Sequence, residues 1–243
     1  MTTLQFGAVK ATARRPLIAI PVMGTTINEV LGLIEQANNS QTDVIEWRLD
    51  YLTTLEQLTA ADMQTITFNA DKPLILTWRT QEEGGERAYD PALYHFVYNL
   101  GIQAKVAAID IEQRWLEELQ QLKNDAQRQG VQVIGSYHNF VDTPIELTNI
   151  FTTLAAQQVD VIKVAVTPQS SEDVTRLLRI TQQVNEIITQ PLITMAMGTL
   201  GVNTRRYGYQ YGSQLTFASL TKASAPGQLD LATLWQQLGE HDD

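Results

Sequence analysis

The sequence predicts an α/β protein, a single (β/α)8 barrel with a short N-terminal extension. Short apolar runs alternate about eight times with segments of helical periodicity, the order that produces a parallel sheet covered by helices. The runs are apolar on both faces, as strands are when helices pack on the sheet. A length of 243 residues is ordinary for one closed barrel. We therefore expect an extension over residues 1–16, which could form a hairpin, and a barrel domain over residues 17–243.

Eight strands can be assigned from local patterns, together with several helix boundaries. The predicted strands cover residues 17–22, 43–50, 73–79, 106–112, 131–138, 160–168, 191–197 and 214–219. A helix over residues 115–129 should end at Gly130, because glycine readily adopts the left-handed conformation that closes a helix. Thr143, Pro144 and Glu146 have the spacing of a capping box with proline at the first helical position, which predicts a helix start there. No glycine-rich phosphate-binding motif follows the first strand, which weakens a nucleotide-binding interpretation.

Composition excludes several classes of site and partner. The net charge of −10 argues against a basic face for nucleic acid, and no apolar run is long enough to span a membrane. Lys10, Arg14 and Arg15 stand where the apolar core of a signal peptide would be, so we expect a cytoplasmic protein. The chain has no cysteine and only three histidines, which form no sequence cluster. It therefore offers neither a disulfide framework nor a typical metal-ligand motif.

The run 160–168 places a lysine in the middle of a strand that is otherwise apolar on both faces. Strand alternation puts Lys163 on one face together with Val161 and Ala165. A buried lysine is unfavourable unless it is paired, neutral or used in chemistry. The strand alone leaves two interpretations open: a structural ion pair, or an amine kept partly unprotonated for Schiff-base chemistry.

Charged side chains also recur near the ends of five consecutive predicted strands. The set consists of Glu46, Arg48 and Asp50, then Arg79, then Asp110 and Glu112, then His138, and finally Lys163. Each alone could belong to a structural ion network or to the barrel rim. Because the carboxyl ends of barrel strands share one rim, where active sites lie, their coincidence favours a site. An amine beside an imidazole suits carbonyl chemistry, since the lysine can form an iminium with a ketone and the histidine can move the proton.

Eight segments between residues 17 and 238 carry a resemblance to a known family. They are residues 46–50 (EWRLD), 77–79 (TWR) with 83–86 (EGGE), 110–112 (DIE), 136–140 (SYHNF), 162–165 (IKVA), 193–197 (ITMAM), 201–205 (GVNTR) and 222–228 (KASAPGQ). In this order they resemble the type I 3-dehydroquinate dehydratases. These are lyases of the shikimate pathway of aromatic amino acid biosynthesis, and they eliminate water through a lysine Schiff base.

The resemblance implies a role for each matched position. It makes Lys163 the Schiff-base lysine, His138 the general acid/base, and Glu83 the carboxylate that orients the histidine. The substrate-binding positions that it implies are Glu46, Arg48, Arg79, Arg205, Ser224 and Gln228. Arg205 matches the arginine that grips the substrate carboxylate, and Ser224 and Gln228 belong to a loop that closes over the substrate in the family. The resemblance further implies 3-dehydroquinate as a small-molecule substrate, no cofactor and a homodimer, with no role for nucleic acid or membrane.

Some positions depart from the family pattern or have an equally good ordinary explanation. Met197 and Phe217 match apolar pocket positions, but core packing would also account for them. Asn139 stands where many members have aspartate after the catalytic histidine; alternation points it away from His138, so we expect it only to tune local charge. Two alternatives stay open: a class I aldolase, which makes the same iminium but breaks a C–C bond, and a non-catalytic relative that keeps the pocket.

Overall fold

The structure is a computed structural model that describes residues 2–220 and 225–238. The chain begins with a small antiparallel hairpin, β1 (Gln5–Phe6) and β2 (Val9–Lys10). Leu4, Phe6 and Ala11 are buried against the interior ends of the barrel strands. The extension therefore covers the N-terminal end of the barrel, opposite the rim that carries the polar residues.

Eight parallel strands form the barrel wall. In chain order they are β3 (Leu17–Val22), β4 (Val44–Arg48), β5 (Leu74–Thr77), β6 (Ala108–Glu112), β7 (Gln132–Asn139), β8 (Val161–Val166), β9 (Leu192–Ala196) and β10 (Leu215–Ser219). Neighbours pair in sequence order from β3 to β9, and β10 pairs with β3. The seam between β9 and β10 has a bridge between Leu192 and Ser213, and the backbone N–H of Gln214 donates to the Leu192 carbonyl at 2.7 Å. A short strand, β11 (Leu229–Asp230), pairs with the end of β10. The predicted barrel fold is confirmed.

Helices cover the outside of the barrel between successive strands. They are α1 (Ile27–Asn38), α2 (Ala60–Asn69), α3 (Pro91–Gln103), α4 (Gln120–Arg128), α5 (Leu147–Ala156), α6 (Ser171–Ile187), α7 (Val202–Tyr207) and α8 (Leu231–Leu238). None of the helices in the described ranges is both long and apolar enough to cross a membrane. Gly130 lies just beyond α4 with φ 77°, the left-handed conformation expected at that position.

Strand alternation separates the core into a layer under the helices and a layer inside the barrel. On β8, Ile162, Val164 and Val166 pack under the helices, whereas Val161 and Ala165 face the interior. This is the division that the period of two predicts, and it places the side chain between Val161 and Ala165 inside the barrel. Apolar side chains fill the interior near the N-terminal ends of the strands, and polar side chains occupy the interior near their carboxyl ends.

Two predicted helix starts were wrong, in both cases because tertiary contacts hold the segment in another conformation. No capping box forms at Thr143: α5 begins four residues later, and the Thr143 carbonyl accepts a hydrogen bond from Arg176 on α6 at 2.7 Å. The helix predicted from Trp115 begins at the start of α4 instead. The Trp115 indole donates to Glu112 at 3.2 Å and stacks on Tyr89 with ring centroids 3.8 Å apart, which holds a short 3₁₀ turn in place of the first helical turn.

Candidate active site

Lys163 lies inside the barrel, and its amine forms ion pairs with two carboxylates. Nζ is 3.0 Å from Oε1 of Glu46 on β4 and 3.0 Å from Oδ2 of Asp110 on β6. Thr77 on β5 donates its hydroxyl to the same Glu46 oxygen at 3.0 Å. On the apolar side, the Phe217 ring centroid is 4.7 Å from Nζ. The ion pair is therefore present, and the surrounding groups hold the amine at one position in the pocket.

Arg79 connects the carboxylates of β6 to the neighbouring strands. It donates to Oδ1 of Asp110 at 2.7 Å, to Oε1 of Glu112 at 3.1 Å and to the Ser136 hydroxyl at 2.9 Å. Ser136 donates in turn to Asp110 at 2.6 Å. Burial alone would lower the pKa of Arg79, but Asp110 and Glu112 raise it well above its usual value. Burial alone would raise the pKa of Asp110, but Arg79 and Lys163 lower it well below its usual value. Arg79 and Asp110 therefore stay charged at neutral pH.

Glu83 and His138 form a buried hydrogen-bonded pair at the rim. Oε2 of Glu83 is 3.0 Å from Nδ1 of His138 and accepts the His138 backbone N–H at 2.9 Å. Burial and the charge of Glu112 raise the pKa of Glu83 to about 8. Burial and Arg79 lower the pKa of His138 well below its usual value. Both shifts disfavour the charged form of the group concerned, so a proton on Glu83 is lost only as the pH rises. Nδ1–H then donates to the carboxylate, which leaves Nε2 free to accept a proton.

Two glycines allow the chain to place Glu83 beneath the histidine. Glu83 ends the 3₁₀ turn Gln81–Glu83, and Gly84 follows it with φ 80°. A Cβ on Gly85 would lie 1.8 Å from the carbonyl oxygen of Arg79, and one on Gly84 would lie 2.4 Å from the Phe140 ring. The Gly84–Gly85 pair is therefore the sequence feature that turns the chain back toward β7.

The two remaining predicted arginines differ in their partners. Arg48 makes a two-point ion pair with Asp50, at 2.8 and 2.7 Å, and Asp50 lies just beyond the strand to which the pattern assigned it. Arg205 on α7 is only 2% exposed, and its Nη1 lies 3.6 Å from the Met195 sulfur. Its Nε and Nη2 have no hydrogen-bond partner among the described residues. Burial lowers the pKa of Arg205 to about 10, so it stays cationic at neutral pH.

Most of the predicted site residues line one cavity at the carboxyl ends of the strands. Its empty volume, including the open mouth, is about 530 Å³, within the usual range for small-molecule sites. The predicted residues that line it are Glu46, Arg48, Arg79, Glu83, His138, Lys163 and Arg205, with Met197 and Phe217 on the apolar side. Ser224 lies outside the described residues. Gln228 is not among the residues that line the cavity, and its amide donates to the Ala218 carbonyl on β10 at 2.9 Å.

The pocket also contains groups to which the sequence patterns gave no role. Thr77 and Ser136 lie two residues before Arg79 and His138, on the same inward faces, so alternation could have found them. Phe140 also lines the cavity, and the only sequence signal was its place in a motif. Within residues 2–220 and 225–238, no cluster of three or more carboxylates and histidines is arranged to hold a metal ion.

Comparisons with known proteins agree over nearly the whole chain. A sequence model described as type I 3-dehydroquinase matches residues 18–242. The 3-dehydroquinate dehydratase of Lactiplantibacillus plantarum is 38% identical over 231 residues, 92% of each chain. That of Enterococcus faecalis is 34% identical over 231 residues, 90% of each chain. Among solved structures, the 3-dehydroquinate dehydratase of Geobacillus kaustophilus superposes with a TM-score of 0.92 at 29% identity, covering 98% of this chain and 95% of its own. A type I 3-dehydroquinate dehydratase from Clostridium difficile with covalent modified comenic acid gives 0.89 at 29% identity, covering 98% and 96%.

Proposed function

The chain belongs to the type I 3-dehydroquinase family, and on that premise we propose that its pocket removes water from 3-dehydroquinate through a Schiff base on Lys163. Membership makes the chain a hydro-lyase. In the proposed roles Lys163 is the covalent group, His138 moves protons, and Glu83 orients His138. Glu46, Arg48, Arg79 and Arg205 hold the substrate; Ser224 and Gln228 belong to the loop proposed to cover it.

One observation carries the mechanism: a buried amine, a hydrogen-bonded His–Glu pair and a buried arginine that forms no ion pair within the described residues face the same cavity. Lys163 has an apolar ring on one side and two carboxylates on the other. His138 has one ring nitrogen fixed by Glu83 and the other available. Arg205 has two donors without partners in the described chain, and a substrate carboxylate would satisfy both.

The reaction proceeds through an iminium on Lys163. When the C–H bond at C2 breaks, the iminium accepts its electron pair. Lys163, after losing a proton, attacks the C3 ketone, and loss of water from the carbinolamine gives the iminium. His138 removes a proton from C2, which produces an enamine. The enamine expels the C1 hydroxyl, and His138 returns its proton so that the hydroxyl leaves as water. Hydrolysis of the remaining iminium releases 3-dehydroshikimate and restores the amine. Because one histidine serves both the proton and the leaving group, the elimination is syn.

Reductive trapping tests the covalent step directly. Borohydride added during turnover reduces an iminium to a stable amine, so we expect irreversible inactivation and a ligand-sized adduct on the peptide that contains Lys163. Lys163→Ala should lose both the adduct and the absorbance of the conjugated product. Lys222→Ala, at a position outside the described residues, is the matched control and should keep the adduct. An adduct on Lys222, or full turnover by Lys163→Ala, would contradict the assignment.

His138→Ala separates the acid/base role from the covalent role. Imine formation should persist at a reduced rate, whereas elimination should fall by roughly 10²–10⁴-fold, the range for loss of a general acid/base. The trapped adduct on Lys163 should therefore accumulate in this variant without product. Wild-type turnover in His138→Ala would remove the histidine from the mechanism.

We also propose a physiological setting for the reaction: the shikimate pathway of aromatic amino acid biosynthesis, in the cytoplasm, with the chain as a homodimer. The similarity to the bacterial relatives supports this setting. Light scattering during size-exclusion chromatography would test the dimer, with a mass near twice 27.2 kDa expected. Growth of a dehydratase-deficient bacterium without aromatic amino acids, restored by this gene, would test the biosynthetic role.

A further inference from the structure

Arg114 lies at the rim of the pocket, on the 3₁₀ turn Gln113–Trp115 that directly follows β6. Its Nε is 3.6 Å from Oε1 of Glu83, and its side chain is 43% exposed while that of Glu83 is 1% exposed. The guanidinium therefore faces the carboxylate oxygen that does not bind His138. The neighbouring Trp115, held by Glu112 and stacked on Tyr89, fixes the turn that carries Arg114.

Besides Arg114, charged or titratable groups from three segments of the chain surround Glu83. Arg79, just after β5, is 3.6 Å from Oε2; Glu112 and Asp110 come from β6; and His138 comes from β7. Lys163 and Arg48 act further on the charge of His138. Arg79 already binds Asp110 and Glu112 at hydrogen-bond distance, so its charge is shared among three carboxylates. Within the described chain, Arg114 forms one ion pair, with Glu83.

We propose that Arg114 is a positioning residue for the reaction: its guanidinium holds Glu83 as the carboxylate that keeps His138 oriented with Nε2 free. The inference rests on the proposed roles of Glu83 and His138. If Glu83 were protonated, its O–H would donate to Nδ1, and the histidine proton would move to Nε2. The histidine could then donate a proton but could not remove one from C2. A cation beside Oε1 opposes that change, since it favours the charged form of the acid.

Removal of the Arg114 charge should shift the pH dependence of kcat/KM toward higher pH. Without Arg114 both Glu83 and His138 bind a proton more readily, so the acid limb of kcat/KM moves to higher pH. An opposite charge at this distance shifts a carboxyl pKa by roughly 1–3 units when buried, and partial exposure of Arg114 reduces the effect. We expect the limb to move by roughly 0.5–1 pH unit in Arg114→Gln, and further in Arg114→Glu. Arg114→Lys keeps the charge and should remain near wild type.

The control is Arg128→Gln, which makes the same change in net charge at an exposed arginine on α4 that pairs with Asp125. The pH profile of this variant should match that of wild type. An unmoved limb in Arg114→Gln, an equal shift in Arg128→Gln, or a shift in Arg114→Lys as large as in Arg114→Gln would each overturn the proposal.

A titration of the free protein makes the test independent of turnover. The ring nitrogens of His138, assigned by comparison with His138→Ala, can be followed by NMR as the pH changes. We expect the midpoint for the Glu83–His138 pair to move upward in Arg114→Gln by the same amount as the kinetic limb. If the wild-type protein lacks dehydratase activity, the proposed function fails, and this titration still decides the inference. An identical titration in wild type and Arg114→Gln would overturn the inference and leave the function standing.

Discussion

Asp110→Asn should cost more stability than any other single carboxylate-to-amide change in the pocket. Asp110 is completely buried, and its Oδ1 accepts from Arg79 and Ser136 while its Oδ2 pairs with Lys163. Asparagine has nearly the same shape but no charge, and its NH2 group must face one of these donors. The substitution therefore removes the shared partner of two buried cations and puts a donor against a donor.

The expected loss is about 3–5 kcal/mol in the free energy of unfolding, the range for breaking a buried ion pair by removal of one partner. For a chain of this size that corresponds to a fall in Tm of roughly 6–20 °C. Urea titration at pH 7 measures the free energy and calorimetry measures Tm. Asp71→Asn, at an exposed position that forms no side-chain ion pair with any described residue, is the matched control and should change stability by less than about 0.5 kcal/mol.

The difference in the free energy of unfolding between wild type and Asp110→Asn should depend on pH, which gives a second check. Because Arg79 and Lys163 lower the pKa of Asp110 in the folded state, its charge stabilises the fold fully above the unfolded pKa of about 3.9. That stability is lost as the pH falls from there through the folded value. The gap between wild type and Asp110→Asn should therefore be constant above about pH 5 and should narrow in more acidic solution. A gap below about 1 kcal/mol at neutral pH, or one that widens in acid, would refute the reasoning.

Three further substitutions test the pocket and the loop that follows β10. Arg205→Lys keeps the charge but loses the two-donor fork, so KM for 3-dehydroquinate should rise roughly 10–100-fold; steady-state kinetics would show an unchanged KM if the residue does not bind substrate. Gly84→Ala must displace the Phe140 ring and should lower the free energy of unfolding by about 1–3 kcal/mol more than Gly130→Ala, which has a similar φ but open space; equal losses in urea titrations would exclude the clash. Gln228→Ala removes the loop's hydrogen bond to β10 and should slow kcat while costing at most about 1 kcal/mol; normal turnover with a large fall in Tm would make it purely structural.

The sequence was sufficient for the barrel because strand periodicity is a local property. The alternation around Lys163 predicts its inward direction correctly, and the same rule places Asp110 and Glu112 inside the barrel. Asn139 also behaves as alternation predicts: it binds Asp142 and accepts the backbone N–H groups of residues 141 and 142, away from the His138 ring. No tertiary information is needed to derive these directions.

Helix starts were less predictable because a capping motif has an effect only where the chain is free to form the first turn. Thr143 has the right spacing for a capping box, yet its carbonyl is bound by Arg176 on the next helix. True capping boxes form at Thr59 with Asp62 and at Ser170 with Asp173. The same local pattern therefore leads to different structures according to contacts with residues more than 30 positions away.

The pairing of charges inside the pocket could not be derived from the sequence at all. Alternation says which side chains face inward, but the partner of each depends on its height in the barrel and on the turn that follows each strand. Arg48, Arg79 and Lys163 each reach a carboxylate, whereas Arg205 enters from α7 and reaches none among the described residues. A buried cation without a partner is unfavourable unless a ligand supplies the missing charge. Among the described residues, Arg205 therefore has no negative partner, and a carboxylate on the proposed substrate would supply one.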